Sequence, residues 1–218
     1  MYHAGIDEAG RGPMLGPLVT CLVVLDDEGK HILAAAGVTD SKKLSAKKRE
    51  HLAGLIREHA RSVHLVSADP ERIDAALADP LSNLNLLEAE LTAELLAQLS
   101  VEPVIVAIDL PTRDEAGYRS WILARSNIGP GTTLLLEHKA DLNHTACAAA
   151  SIIAKVERDR AVHEIGGSVG VPVGSGYPSD PRTRAFLESH GRSHAHLFRR
   201  TWATYTERYA PRGQRTLM

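Results

Sequence analysis

The sequence predicts an α/β protein built on a mixed β-sheet. Five short runs rich in Val, Ile, Leu and Ala have the length and composition of strands. The first two flank one Gly- and Pro-bearing turn, Gly10-Arg11-Gly12-Pro13, which makes them an antiparallel hairpin. The later runs are separated by helical segments, as strands joined through crossover helices must be.

In chain order, Tyr2–Ile6 reads as a strand delivering Asp7 and Glu8 at its end. Leu15–Leu25 reads as the second strand. Ser45–Glu58 reads as a helix with Ser45 as N-cap and Lys47, Lys48 and Arg49 on its outer face. Arg61–Ser67 alternates and reads as a third strand. Pro70–Leu77 and Asn83–Leu99 are helical, the latter with Leu86, Leu87, Leu91, Leu95 and Leu96 at core spacing. Pro103–Asp109 is a buried strand closed by a carboxylate, Asp114–Ser126 a helix, and Thr132–Glu137 another buried strand. Asp141–His163 is a long helix whose Ala146, Ala148, Ala149 and Ala150 allow close packing. After Gly166-Gly167 the composition changes, and Gly174–Pro178 is a loop. A helix from Asp180 or Pro181 to about His190 and a last one over His194–Tyr209 end the reading. The expected organisation is an α/β core over residues 1–165 and a C-terminal helical extension over 166–218 that carries the Gly-Ser-Gly-Tyr-Pro loop.

The chain has 218 residues, of which 44% are hydrophobic and 4% aromatic, so aliphatic side chains must fill the core. A net charge of −2 gives no global attraction to nucleic acid. The run Arg182, Arg184, Arg192, Arg199, Arg200, Arg208, Arg212 and Arg215 marks a basic C-terminal region, either a phosphate-binding surface or a solvated face. Cys21 and Cys147 sit in apolar stretches without metal-ligand spacing, as buried thiols of a reduced, cytoplasmic protein do. No secretory segment is read, and the longest apolar stretch is too short and interrupted to span a bilayer, so no membrane partner is expected.

Adjacent carboxylates such as Asp7 and Glu8 repel unless a cation sits between them, and hard oxygen ligands suit Mg²⁺ or Mn²⁺. An isolated Asp-Glu pair is more often a solvated turn. Here two glycines follow it, Gly10 and Gly12, so backbone amides can approach a ligand closely. Asp109 ends an apolar run and Asp141 opens a helix; each has a bland reading, as a strand exit or an N-cap. Four acids converging on one sheet edge are what a two-metal phosphodiesterase needs.

Four blocks carry a family resemblance. They are Gly5–Pro13, Asp40-Ser41-Lys42-Lys43-Leu44, Glu137–Asp141 with Ala149–Lys155, and Gly174–Pro181. In this order they resemble ribonuclease HII, the last block its archaeal and eukaryotic branch. The resemblance implies an RNase H-like fold: a five-stranded mixed sheet flanked by helices, with a C-terminal helical extension. It implies a two-metal endonuclease that cuts the RNA of RNA–DNA hybrids and cuts 5′ of ribonucleotides embedded in duplex DNA, leaving 3′-OH and 5′-phosphate ends.

By position, Asp7, Glu8, Asp109 and Asp141 take the family's catalytic, metal-binding places. The match is weaker around Asp109, where Asp114 is a rival that also reads as a helix cap. Gly10-Arg11-Gly12 resembles the loop whose backbone reads the ribose 2′-OH, and Tyr177 the tyrosine that packs on the sugar. Lys42 and Lys43 are candidates for phosphate contact, Ser151 and Lys155 for facing substrate, and His138 and Lys139 for shaping the surroundings of Asp141. The chain is expected to act as a monomer. A sliding clamp is a possible partner, although Gln214–Met218 lacks the aromatic pair of a clamp-binding motif. Two other classes share some of these features: a resolvase or integrase of the same fold, which would cut all-DNA substrates, and a non-catalytic hybrid-binding protein.

Overall fold

The computed structural model describes residues 1–39 and 41–209, with the Lys42 side chain excepted. The order is β1 (Tyr2–Ala9), β2 (Leu18–Asp26), α1 (Asp27–Ala35), α2 (Ala46–His59), β3 (Ser62–Ala68), α3 (Pro70–Ala78), α4 (Leu84–Leu96), β4 (Ile105–Asp109), α5 (Glu115–Leu123), β5 (Thr133–Glu137), α6 (Thr145–Val169), α7 (Pro181–His190) and α8 (Ala203–Tyr209). Short 3₁₀ turns cover Ser41–Lys43, Ala140–Leu142 and Ala195–Leu197. The strands form one five-stranded sheet in the order β3-β2-β1-β4-β5. β1 pairs antiparallel with β2 and parallel with β4, and β4 pairs parallel with β5. The predicted mixed α/β sheet is therefore the observed one.

Alternation along the strands explains how the sheet is covered. Cys21, Val23 and Leu25 of β2 pack with Leu33 of α1, Leu52 and Ile56 of α2 and the alanines of α6. Leu22 and Val24, with Ala4 and Ile6 of β1, pack with Leu95 of α4 and Tyr118 and Ile122 of α5. A strand buried on both faces reads as an unbroken apolar run, as β2 does.

By contact clustering the chain divides into two units. One holds Met1–Ala9, Val19–Ser67 and Asn85–Glu157, which is the sheet and most of its helices. The other holds Gly10–Leu18, Ala68–Leu84 and Arg158–Met218, of which the last part is described to residue 209. Its own core joins Met14 and Leu15 to Val162, Val173, Phe186, Leu187 and Phe198.

Several boundaries differ from expectation for physical reasons. α1 lacks a long periodic pattern; the Asp26 carboxylate caps it by accepting from Gly29 N–H at 2.8 Å. Arg49 does not lie on the outer face of α2: it donates to the carbonyls of Ser41 at 3.2 Å and Leu44 at 2.6 Å. Leu86 is only half-buried, whereas Leu87, Leu91, Leu95 and Leu96 are core. α6 starts at Thr145, not Asp141, and runs through Gly166-Gly167 to end before Gly170, whose φ of 70° suits a helix stop. The expected last helix is broken: Phe198 bridges antiparallel to Leu15, and only Ala203–Tyr209 is α-helical. No described helix is long and apolar enough to cross a membrane.

Candidate active site

Three parallel strands end side by side, and the carboxylates sit at those ends. Asp7 lies on β1 opposite Cys21 of β2, one residue beyond the Ile6↔Ile108 pair of β1 and β4. Asp109 closes β4 and pairs in register with Glu137 of β5. The pleat sends Ile6 into the core with α4 and α5 and turns Asp7 to the opposite face, where α6 packs. Glycine at position 5 permits that packing: a Cβ there would stand 2.1 Å from the Cys147 backbone nitrogen.

Asp7 is buried, with 5% exposure, and its carboxyl is pushed up to about 7. Desolvation is the main cause, and the charges of Asp109 and Asp141 push the same way. A hydrogen bond from the Ser151 side chain and one from Glu8 N–H, 2.7 Å from Asp7 Oδ1, partly offset the rise. Asp109 and Asp141, distant in sequence, thus add repulsion at Asp7. Glu8, half-buried, reaches Asp7 through its backbone, since neighbours on a strand point to opposite faces.

Asp141 is buried in the 3₁₀ turn Ala140–Leu142 and does not cap α6. Lys139, at φ 61°, supplies the left-handed residue that reverses the chain into that turn. Asp109 Oδ1 accepts from Ala140 N–H at 3.1 Å, which ties the end of β4 to the residue before Asp141. His138 donates its Nδ1–H to the Leu110 carbonyl at 2.8 Å, a second tie between the same segments. Asp114 is the N-cap of α5, its carboxylate accepting from Gly117 N–H at 2.9 Å.

Ser151 is buried on α6, about two turns from the helix start. Its hydroxyl lies 2.9 Å from that of Ser41, also buried. Sequence reasoning missed Ser41, whose signal was its place beside Lys42 and Lys43. It anchors that lysine turn to α6, whose Ser151 hydrogen-bonds Asp7; Lys43 is exposed, and the Lys42 side chain lies outside the described residues.

Gly10, Arg11, Gly12 and Tyr177 belong to the second unit. Gly10 has φ 99°, and a Cβ there would meet the Pro17 carbonyl at 2.6 Å. Beside Gly12, Tyr177 Cε1 would lie 3.6 Å from an added Cβ, so the ring flanks the glycine loop. Two buried arginines brace this region: Arg158, which the sequence did not single out, and Arg199, which read there as part of a basic region. The Arg158 guanidinium donates to the Ser175 carbonyl at 2.6 Å and lies 5.1 Å from the Tyr177 ring. Arg199, fully buried, donates to the carbonyls of Gly10, Arg11 and Gly16.

The acids offer only hard oxygen donors and are concentrated enough to raise Asp7, which fits a divalent cation and no soft metal. As they stand, no three carboxylate, imidazole or thiol groups among the described residues are disposed to enclose an ion. Oδ1 of Asp7 and of Asp109 are each held by a backbone N–H group.

Residues 4–205 match the family model of ribonuclease HII. The ribonuclease HII of Thermococcus onnurineus is 43% identical over 207 residues, covering 94% of this chain and 88% of that protein. The solved ribonuclease H2 of Pyrococcus horikoshii superposes with a TM-score of 0.84 at 37% identity, covering 95% of this chain and 96% of that one. A PCNA:RNase HII complex from Archaeoglobus fulgidus matches with a TM-score of 0.80 at 37% identity, covering 93% and 95%.

Proposed function

The chain belongs to the ribonuclease HII family and is a ribonuclease H acting on RNA–DNA hybrids, and on that premise we propose that it also cuts 5′ of single ribonucleotides embedded in duplex DNA. One observation carries the site assignment: a buried Asp7 whose carboxyl is pushed up to about 7 with Asp109 and Asp141 acting on it. A strongly perturbed buried acid, with other carboxylates acting on it at the ends of parallel strands, marks a candidate working site.

Asp7, Glu8, Asp109 and Asp141 are the residues to hold Mg²⁺ or Mn²⁺. When bound, such ions acidify an attacking water and neutralise charge at the phosphate and the leaving 3′ oxygen. Ser151 orients Asp7 through its hydroxyl, and Ser41 orients Ser151. The backbone amides of Gly10, Arg11 and Gly12 bind the ribose 2′-OH, the group that separates RNA from DNA. Tyr177 packs against the sugar beside that loop, and Lys42 and Lys43 contact phosphate. Hydrolysis breaks the bond from phosphorus to the 3′ oxygen, leaving a 3′-OH and a 5′-phosphate. The A. fulgidus complex supports a sliding clamp as a partner; the tail Gln214–Met218 lies outside the described residues.

Asp7→Asn keeps shape and removes charge. The expected result is loss of hybrid cleavage in Mg²⁺ by a factor of about 10³ or more, with an unchanged circular-dichroism spectrum. Turnover within a few-fold of the parent would overturn the assignment.

A further inference from the structure

The glycine loop is aimed from behind by Arg199. Its Nη2 donates to Gly10 O at 2.6 Å and to Gly16 O at 3.1 Å, Nη1 to Arg11 O at 3.1 Å, and Nε to Gly16 O at 3.2 Å. Trp202 Nε1 donates to Gly12 O at 3.4 Å, and the Arg199 guanidinium lies 4.9 Å from the Trp202 ring. Three successive carbonyls, of residues 10, 11 and 12, are therefore drawn to one side. Every described peptide here is trans, so each N–H points opposite to the carbonyl of its own peptide plane. The N–H groups of Arg11 and Gly12 thus face away from Arg199, the arrangement of a backbone nest that receives an oxygen ligand. Residue 13 is proline and adds no third donor.

Burying a guanidinium at 0% exposure is costly, and only a dense set of acceptors holds it there. The backbone makes the placement possible. Arg199 N–H donates to Met14 O at 2.9 Å, and Gly16 N–H to Leu197 O at 3.1 Å, pinning the 197–199 segment along the loop. A lysine offers its donors from one nitrogen and cannot bridge three carbonyls in a plane.

We infer that Arg199 is the positioning residue that aims the Arg11 and Gly12 N–H donors and so sets the preference for ribose over deoxyribose. This rests on the reading of the loop as the 2′-OH receptor. The test is equilibrium binding in EDTA, without turnover, by fluorescence anisotropy. One duplex carries a single ribonucleotide and the other is all-DNA of the same sequence. The parent is expected to prefer the first. In Arg199→Met the preference should fall by about tenfold while all-DNA affinity stays within a few-fold, and Arg199→Lys should lie between. A general loss of structure would weaken both duplexes alike, and that result overturns the inference. Should Arg199→Met fail to fold, Arg199→Lys decides: a preference equal to the parent's overturns it. Gly12→Pro, which deletes one proposed donor, separates the two ideas. Preference lost in Gly12→Pro but kept in Arg199→Met removes Arg199 alone; a parent with no preference removes the loop reading and the inference with it.

Discussion

At the scale of residues, the decisive group is Asp7. Its folded-state pKa of about 7 lies above the ordinary carboxylate value of 3.8, so the folded chain holds the proton more tightly than the unfolded one. The stability this confers is full below about pH 4 and is lost as pH rises towards about 7. In EDTA, the melting temperature of the parent should therefore fall more steeply from pH 4 to 7 than that of Asp7→Asn. Parallel curves would contradict the burial of an ionisable group there. Sequence reasoning found Asp7 and Glu8 as an adjacent pair in mutual repulsion. It could not see that burial is the main cause of the rise at Asp7, or that Asp109 and Asp141, far along the chain, add their charges to it. Arg158 and Arg199 were illegible for a related reason: arginine reads as surface, and only the loop carbonyls reveal why these two are inside.

At the scale of elements, α6 sets the site by lying close to β1. The contact falls on Gly5, where the nearest atoms to an added Cβ are backbone atoms of Ala146 and Cys147. No side chain can move to make room, so Gly5→Ala should destabilise the fold by about 2 kcal/mol or more, read from urea unfolding. A loss below about 0.5 kcal/mol would mean the helix sits farther off. The strands and the helices α2, α3, α5 and α7 were legible because their caps and periodicity are local: Ser45, Asp69, Asp114 and Asp180 each accept a backbone N–H at the helix start. The break in the last predicted helix was not, because pairing of Leu15 with Phe198 joins residues far apart in sequence. Asp141 likewise reads as an N-cap, and only the left-handed Lys139 shows that a 3₁₀ turn intervenes.

At the scale of the whole molecule, the fold class was legible from five apolar runs and the order of what separates them, because hydrophobic period and turn chemistry act within short windows. Charge was a poorer guide. Of the arginines taken as a basic C-terminal region, Arg199 is interior, Arg182 pairs with Asp180 and Arg200 with Asp74. Arg192 and Arg208 lie over the Tyr209 ring, while Arg212 and Arg215 fall outside the described residues. The proposed substrate recognition accordingly rests on the loop at Gly10–Gly12 and on Tyr177, not on a field of positive charge. The most direct measurement is cleavage of a DNA duplex carrying one embedded ribonucleotide, with products mapped at nucleotide resolution in Mg²⁺ and in EDTA. The account predicts a single incision 5′ of the ribonucleotide in Mg²⁺, ends bearing 3′-OH and 5′-phosphate, and no cut in EDTA. Incision that persists in EDTA, or equal cutting of the all-DNA duplex, would contradict it.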